Sequence, residues 1–206
     1  MVESPQIKQD VRRVSVIGLG LIGGSIAAGI KQQGLASSVC AWDPNAASLA
    51  LGHDLGIIDS IAADINEATA QSDLIVLAVP VQSMEQVLRD IDLKDQVITD
   101  VGSVKGIAIE AARRVFGELP ENFIPGHPIA GSEKQGVVAA DPNLFRQHKV
   151  ILTPGEASNP AAIARVEKLW NGLGAEVVRM SVSHHDDVLA QTSHLPHLLA
   201  YALVDT

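Results

Sequence analysis

Cysteine is almost absent from this chain, since Cys40 is the only one among 206 residues. One cysteine cannot close an intramolecular disulfide, which argues against a disulfide-stapled secreted scaffold and favours a reducing compartment, by default the cytoplasm. Aromatic residues make up only 3% of the chain, against 47% hydrophobic residues. The core must therefore consist of Ala, Val, Ile and Leu, a composition typical of buried parallel strands and the helices that cover them.

Long apolar runs and an excess of basic residues are also missing. No uninterrupted apolar stretch approaches the roughly 20 residues that a membrane span needs, and the polar segment 1–13 lacks the apolar centre of a signal peptide. The 15 Lys and Arg against 24 Asp and Glu give a net charge of −9, without a block of like charge. We therefore expect neither a membrane nor a nucleic acid as a partner.

Segments typical of strands and of helices alternate along most of the chain. β-Branched or continuously apolar runs predict strands, and apolar residues at helical spacing predict the helices between them. Strands are predicted at 14–17, 38–42, 74–79, 97–101, 150–152 and 176–180, and helices at 21–33, 44–55, 83–91, 105–116 and 160–173. This alternation with short connections predicts right-handed crossovers and a doubly wound, mainly parallel α/β sheet.

The patterns divide the chain into three parts. Residues 1–12 are predicted to be a flexible tail, and 13–180 to form the α/β domain. Residues 181–206 have a helical pattern, interrupted by Pro196 and still apolar at Val204. A helix this apolar must be buried against something. We therefore expect 181–206 to be the first helix of a truncated C-terminal helical domain, or to require a partner subunit.

A glycine-rich turn follows the first predicted strand and opens the first predicted helix. Its sequence is Gly18-Leu19-Gly20-Leu21-Ile22-Gly23. The first glycine permits a tight turn, the second lets the backbone approach a pyrophosphate, and the third lets the helix pack on the strand. Such a motif alone can be a turn without a ligand, but its position between strand and helix, with Asp43 ending the second strand, favours dinucleotide binding.

Asp43 is placed to accept hydrogen bonds from the ribose of an adenosine. Its carboxylate would repel the 2′-phosphate of NADP, and the following Pro44 and Asn45 include no arginine to receive that phosphate. We therefore expect NAD as the cofactor. Asp43 could instead cap the helix predicted to begin at Pro44, because Asp is a favoured N-cap. The two roles are compatible.

Three further candidates follow predicted strands, where ligands bind in such sheets. Pro80 either ends its strand or contacts a cofactor. Ser103 lies near a predicted helix start, where it could serve as a simple N-cap. His127, between Gly126 and Pro128, is expected on a rigid, irregular loop that solvent reaches. Imidazole is suited to proton transfer near neutrality, and an exposed histidine without a function is the alternative.

Four histidines near the end of the chain raise the question of a metal site. They are His184, His185, His194 and His197. No cysteine is near them and no H-E-x-x-H pattern occurs, so we expect no metal.

Taken in order, these motifs closely resemble the prephenate and arogenate dehydrogenases of tyrosine biosynthesis. The resemblance covers about residues 12–206. It rests on G-L-G-L-I-G-G-S, an acidic end to the second strand, V-P after the fourth, D-V-G-S-V-K, G-H-P-I-A-G-S-E-K-x-G and S-H-L-P-H. The last two are far more specific than the glycine turn. The resemblance implies a Rossmann domain that binds NAD or NADP, followed by a helical dimerisation domain.

The resemblance also implies a reaction. Family members oxidise a 4-hydroxycyclohexadiene ring, which gives up a hydride from C4 and loses carbon dioxide to become aromatic. His127 matches the histidine that takes the hydroxyl proton, and Ser103 matches the serine that bonds this histidine beside the nicotinamide. The matched cofactor contacts are Gly18, Leu19, Gly20, Leu21, Ile22, Gly23, Asp43, Val79, Pro80 and Ser103. The positions that match the lining of the substrate pocket are Ser132, Glu133, Ser193, His194 and His197.

The sequence departs from the family pattern at its end. Family members continue with helices that form a homodimer and supply a substrate-binding arginine, which these residues lack. Two alternatives stay open. One is another Rossmann dehydrogenase or reductase with a helical dimer domain, such as a pyrroline-carboxylate reductase, and the other is a module that binds NAD without turnover. Prephenate and arogenate, which differ in a keto or amino group, are both retained as substrates.

Overall fold

The computed structural model describes residues 11–194, with side chains through residue 192. Its strands are β1 (Arg13–Ile17), β2 (Ser38–Trp42), β3 (Ser60–Ile61), β4 (Leu74–Leu77), β5 (Val97–Asp100), β6 (Phe123–Ile124), β7 (Gly126–Pro128), β8 (Lys149–Leu152) and β9 (Glu176–Arg179). Its helices are α1 (Leu21–Gln33), α2 (Ala46–Asp54), α3 (Ile65–Thr69), α4 (Met84–Arg89), α5 (Lys105–Phe116), α6 (Pro160–Gly172) and α7 (Val182–Leu189). A π-helical turn at Ala190–His194 continues α7. Most of the tail predicted at 1–12 and the apolar segment after 194 lie outside this range.

The first six strands form one fully parallel sheet in the order β3-β2-β1-β4-β5-β6. Val14 of β1 lies opposite Val39 on one side and Leu74 on the other. Successive strands extend outward from β1 in one direction and from β4 in the other, so the switch point lies between β1 and β4. In open α/β sheets this is where ligands bind, at the carboxyl ends of the strands. The predicted doubly wound, mainly parallel, Rossmann-like sheet is confirmed.

Helices on both faces of the sheet create two hydrophobic cores. Successive side chains of a strand point to opposite faces, so Val14 and Val16 enter one core and Ile17 the other. The first core also contains Ile26, Ile30, Phe145 and Trp170, and the second contains Met84, Leu88, Ala108 and Phe123. This two-sided burial explains why β4 is apolar on both of its faces.

The last three strands form a second sheet, which the sequence pattern did not predict. Its order is β7-β8-β9, with β7 antiparallel to β8 and β8 parallel to β9. Pro125 has no N–H to donate to a sheet ladder, and beyond it the chain leaves β6 and pairs with β8. His127 consequently lies opposite Ile151 in a short strand. The expectation of an irregular loop at His127 is therefore wrong.

The start of α2 differs from the prediction. The helix predicted from Pro44 begins at Ala46, because the side chain of Asn45 accepts hydrogen bonds from the N–H groups of Ala47 and Ser48. Asp43 is therefore not the N-cap of α2. The limits of α1, β2 and α5 are as predicted. Among the residues described here, no helix is long and apolar enough to cross a membrane.

Candidate active site

The glycine turn between β1 and α1 is packed so closely that two of its glycines are required. Gly18 has a φ of 96°, and a Cβ at this position would lie 2.4 Å from the carbonyl oxygen of Ala78. A Cβ at Gly23 would lie 1.9 Å from the carbonyl oxygen of Gly18. Because L side chains rarely adopt such a φ, Gly18 allows the turn. Gly23 then allows α1 to pack against it.

Gly20 has a different environment from the other two glycines. It is the N-cap of α1, and its residue type offers no capping side chain. A Cβ built on Gly20 would meet no protein atom within 4 Å, so protein packing does not require glycine here. The open side at a helix N-terminus is what a bound pyrophosphate needs, because the first N–H groups of the helix lack partners there. This geometry fits a dinucleotide.

A cleft of about 560 Å³ begins at this turn and lies across the switch point. The residues that line it are Gly18, Gly20, Trp42, Asp43, Pro44, Ile65, Ala78, Val79, Pro80, Gln82, Ser83, Gln86, Val87 and Asp90. The volume is within the range of small-molecule sites. Among these lining residues the only charged side chains are the carboxylates of Asp43 and Asp90, so the cleft presents negative charge.

Asp43 is fixed at one wall of this cleft. Its Oδ2 accepts a hydrogen bond from the N–H of Leu19 at 2.6 Å, and its Oδ1 accepts one from the N–H of Asn45 at 2.8 Å. The half-buried carboxylate is thereby tied to the glycine turn. A carboxylate has about four lone-pair sites, so Asp43 retains the capacity to accept ribose hydroxyls as well.

The loop after β5 places Ser103 on the surface and not in a cap. The N-cap of α5 is Val104, without a side-chain hydrogen bond, so the alternative reading of Ser103 as a simple N-cap is wrong. The carboxylate of Asp186 satisfies the first N–H groups of α5 instead. It accepts hydrogen bonds from the N–H groups of Lys105 at 3.0 Å and Gly106 at 2.9 Å.

A buried ion pair connects the loop after β5 to β7. The side chains of Asp100 and Lys105 are fully buried and bonded to each other. Asp100 also accepts from the N–H groups of Gly102 at 2.9 Å and Gly126 at 3.2 Å, while Lys105 Nζ donates to the carbonyl of Gly126 at 2.6 Å. The residue before His127 is thus held to the main sheet by two polar contacts, one at its N–H and one at its carbonyl. Burial lowers the pKa of Lys105 despite the opposing charge of Asp100.

His127 belongs to a hydrogen-bonded chain that the sequence did not reveal. Its Nδ1 lies 2.9 Å from Nε2 of His185, and the two rings meet edge to face at 5.2 Å. The His185 ring is fully buried, and its Nδ1 lies 2.7 Å from Oδ1 of Asp186. His127 itself is half-buried, which agrees with the expected access of solvent. This series of hydrogen bonds runs from the start of α5, through Asp186 and His185, to His127.

Asp186 is ionised near neutrality. Burial raises the pKa of its carboxyl, but the hydrogen bonds from His185 and from the N–H groups of Gly106 and Lys105 outweigh that effect. The pKa of Asp186 therefore lies below its ordinary value.

The structure gives fewer contacts for the other predicted site residues. Ser132 and Glu133 lie in an exposed segment, where Ser132 Oγ accepts from the N–H of Lys134 at 3.2 Å. The backbone of Ser193 and His194 lies in the π-helical turn. The side chains of these two residues and all of His197 lie outside the described residues.

The fold and this site define a class of protein. A parallel sheet in this strand order, with a glycine turn at its switch point and an acidic residue after the second strand, is a dinucleotide-binding Rossmann domain. Residues 26–179 match the family model of the nucleotide-binding domain of prephenate dehydrogenase. The chain belongs to the prephenate dehydrogenase family.

Individual relatives agree with this assignment. The chain is 39% identical over 198 residues to a prephenate dehydrogenase of Lactococcus lactis, covering 94% of this chain and 53% of that enzyme. It is 38% identical over 197 residues to a cyclohexadienyl dehydrogenase of Zymomonas mobilis, covering 94% and 66%. The crystal structure of prephenate dehydrogenase from A. aeolicus, in complex with hydroxyphenyl propionate and NAD+, superposes with a TM-score of 0.87 at 35% identity, covering 94% and 68%. The chain spans between about half and two thirds of the length of the curated relatives it matches.

Proposed function

We propose that this chain provides the cofactor site and the proton acceptor of an NAD-dependent dehydrogenase that decarboxylates prephenate, giving 4-hydroxyphenylpyruvate, or arogenate, giving tyrosine. One observation carries the proposal. The glycine-lined cleft and the half-buried imidazole of His127 both follow strands of the main parallel sheet, and the end of β5 lies between them. The N–H of Val101, just after β5, donates to the carbonyl of Leu77, next to Ala78 of the cleft lining. The side chain of Asp100 accepts from the N–H of Gly126, next to His127. Membership of the prephenate dehydrogenase family supports the choice of substrate.

The cofactor would lie in the cleft of about 560 Å³. We propose that its contacts are Gly18, Leu19, Gly20, Leu21, Ile22, Gly23, Asp43, Val79, Pro80 and Ser103. NAD supplies the acceptor for the hydride that the substrate loses. The two carboxylates of the cleft disfavour the extra phosphate of NADP, because like charges repel strongly where water is partly excluded.

His127 would act as the base. As hydride leaves, positive charge develops at the ring carbon that bears the hydroxyl, and a nearby neutral imidazole that removes the hydroxyl proton stabilises the transition state. Ser103 would orient this imidazole. The side chains proposed to line the substrate pocket are Ser132, Glu133, Ser193, His194 and His197.

The domain division and the assembly belong to the same proposal. Residues 13–180 would form the dinucleotide-binding domain, and α7 would begin a helical domain through which the full-length protein forms a homodimer. The cytoplasmic location rests on the single cysteine, Cys40, which is buried.

A spectrophotometric activity assay tests the function. The protein is supplied with prephenate and with arogenate, each with NAD and with NADP, and reduced cofactor is followed by absorbance. We expect NAD-dependent turnover of at least one of the two substrates, and calorimetric binding of NAD. Binding of NAD without turnover of either substrate by the full-length protein would show a nucleotide-binding module and contradict the proposal.

A further inference from the structure

Three side chains and one helix end form a continuous hydrogen-bonded path to His127. The N–H groups of Lys105 and Gly106 at the start of α5 donate to the carboxylate of Asp186. Oδ1 of Asp186 lies 2.7 Å from Nδ1 of His185, and Nε2 of His185 lies 2.9 Å from Nδ1 of His127. Each of these distances is within the range of a direct hydrogen bond.

The donors and acceptors of this path follow in order from its charged end. An ionised carboxylate only accepts hydrogen bonds, so Nδ1 of His185 must donate to Asp186. In a neutral imidazole one nitrogen donates and the other accepts, so Nε2 of His185 is the acceptor. The hydrogen on this second bond therefore comes from Nδ1 of His127. In that tautomer the lone pair of His127 is on Nε2.

We propose that His185 and Asp186 are positioning residues that hold His127 in the tautomer with a basic Nε2. The inference deepens the proposed function, on which its catalytic consequence rests. Neither residue needs to touch the substrate. Asp186 orients His185, and His185 in turn fixes both the ring plane and the protonation pattern of His127, as a buried acceptor behind a catalytic imidazole does in other enzymes.

The burial of His185 favours this role over simple capping. Asp186 alone would satisfy the start of α5, and that role does not require a histidine beside it. The ring of His185 is nevertheless fully buried, whereas the neighbouring His184 on the same helix is exposed. A buried imidazole must satisfy both of its nitrogens, and here one of the two partners is the proposed base itself.

Nitrogen NMR of this chain tests the tautomer without any substrate. The protein has seven histidines, so selective ¹⁵N-histidine labelling, with each signal assigned by removing one histidine, resolves His127. At about pH 8, where imidazole is ordinarily neutral, we expect His127 to carry its proton on Nδ1 and His185 to carry its own on Nδ1. A proton on Nε2 of His127, or protons on both nitrogens of His185, would overturn the inference.

Two substitutions of His185 separate positioning from packing. His185→Gln keeps an amide oxygen that can accept from His127 and an amide N–H₂ that can donate, whereas His185→Phe keeps ring volume and loses both. We expect the Nδ1–H tautomer of His127 to persist in the Gln variant and to be lost in the Phe variant. His184→Phe is the matched control, because it makes the same change at the exposed neighbour.

Kinetics of the full-length enzyme complete the test. We expect His185→Phe to lower kcat by about 10²-fold, within the range of losing a correctly protonated base, with KM changed by less than about threefold, the pattern of an interaction made only in the transition state. His185→Gln should recover most of that loss, and His184→Phe should leave kcat unchanged. Equal kcat values for His185→Phe and the parent would overturn the inference. A fixed tautomer in a protein that turns over neither substrate would instead count against the proposed function and leave the positioning role standing.

Discussion

Asp43 is the side chain that we propose to decide the choice of cofactor. Its carboxylate is held by the N–H groups of Leu19 and Asn45, so it cannot turn away from an incoming ligand without losing both bonds. A second carboxylate, Asp90, lines the same cleft and adds to its negative charge. The negative charge of the cleft would therefore oppose the 2′-phosphate, the one group by which NAD and NADP differ.

We predict that NAD binds more tightly than NADP. The lost ribose hydrogen bond and the repulsion between carboxylate and phosphate together cost on the order of a few kcal/mol in a partly buried site. Calorimetry with both cofactors measures the difference. Asp43→Ser should narrow it by relieving the repulsion, and affinities of the parent protein that agree within about threefold, or roughly 0.7 kcal/mol, would contradict the prediction.

His127 carries the second prediction. His127→Asn in the full-length enzyme should lower turnover by roughly 10²–10⁴-fold, the range typical of losing a general base. Cofactor affinity should stay nearly unchanged, since His127 does not line the cleft that would hold the dinucleotide.

Ser103→Ala provides the comparison for that variant. Its loss should be smaller, because an orienting hydroxyl is removed while the proton acceptor remains. Steady-state kinetics with calorimetry for both variants decide the matter. Near-parental turnover by His127→Asn would show that another group takes the proton.

At the level of local elements, the turn between β1 and α1 contains one closely packed glycine, Gly23, and one with open space beside it, Gly20. We predict that Gly23→Ala destabilises the fold, because its Cβ would lie 1.9 Å from the backbone oxygen of Gly18. Gly20→Ala meets no protein atom within 4 Å, so it should leave the free energy of unfolding nearly unchanged while weakening NAD binding.

Urea unfolding and NAD calorimetry on the two variants distinguish these effects. The pair is matched, since both change glycine to alanine three residues apart in one turn. If Gly20→Ala bound NAD as tightly as the parent, the phosphate position assigned to this turn would be incorrect.

The start of α5 carries a pH-dependent prediction. The pKa of Asp186 is lowered in the folded protein, so the folded state binds fewer protons than the unfolded state as the carboxyl titrates. The stabilisation from Asp186 is thus fully present above the pKa of the unfolded chain, near 3.8, and is lost as pH falls through the lower folded value.

Asp186→Ala measures that contribution. At neutral pH the substitution should cost about 0.5–2 kcal/mol, as for loss of a helix cap, and the difference from the parent should shrink at acidic pH below the unfolded value. Denaturant unfolding from pH 7 to pH 3 follows it, with exposed Asp187→Ala as the control. A difference that stays constant over this range would refute the assignment of Asp186 as an ionised cap.

In the molecule as a whole, the pair of Asp100 and Lys105 joins the two sheets. Lys105 Nζ and Asp100 both contact the backbone of Gly126, where the chain passes from the main sheet into the second one. Lys105→Met should destabilise the protein by about 3–5 kcal/mol, because it leaves a buried carboxylate without its counter-charge.

Adding Asp100→Asn to that variant should restore part of the loss by removing the unpaired charge. Urea unfolding of the two single variants and the double variant measures the coupling. A cost below about 1 kcal/mol for Lys105→Met, the value of an exposed ion pair, would mean that water reaches this pair in solution.

Much of the fold was predictable because its signals are local. A run of small and apolar residues that ends at Gly34 indicated α1, a segment rich in Ala and Ile indicated α5, and the continuously apolar run 74–79 indicated β4. The glycine turn and Asp43 were recognisable from their positions relative to these elements. The short β3, α3 and β6 were missed, since two to five residues are too few to show a period.

Contacts between distant parts of the chain could not be derived in this way. His127 meets His185 across 58 residues, and Asp186 reaches the start of α5 across 81. Nothing in the segment His184-His185-Asp186-Asp187 indicates which histidine is buried and which carboxylate caps a helix. Patterns of spacing report only which face of its own helix or strand a side chain occupies. The partner it meets there depends on how that element packs. In this protein α7 packs against α5 and places His185 beside His127, which we propose to be the base.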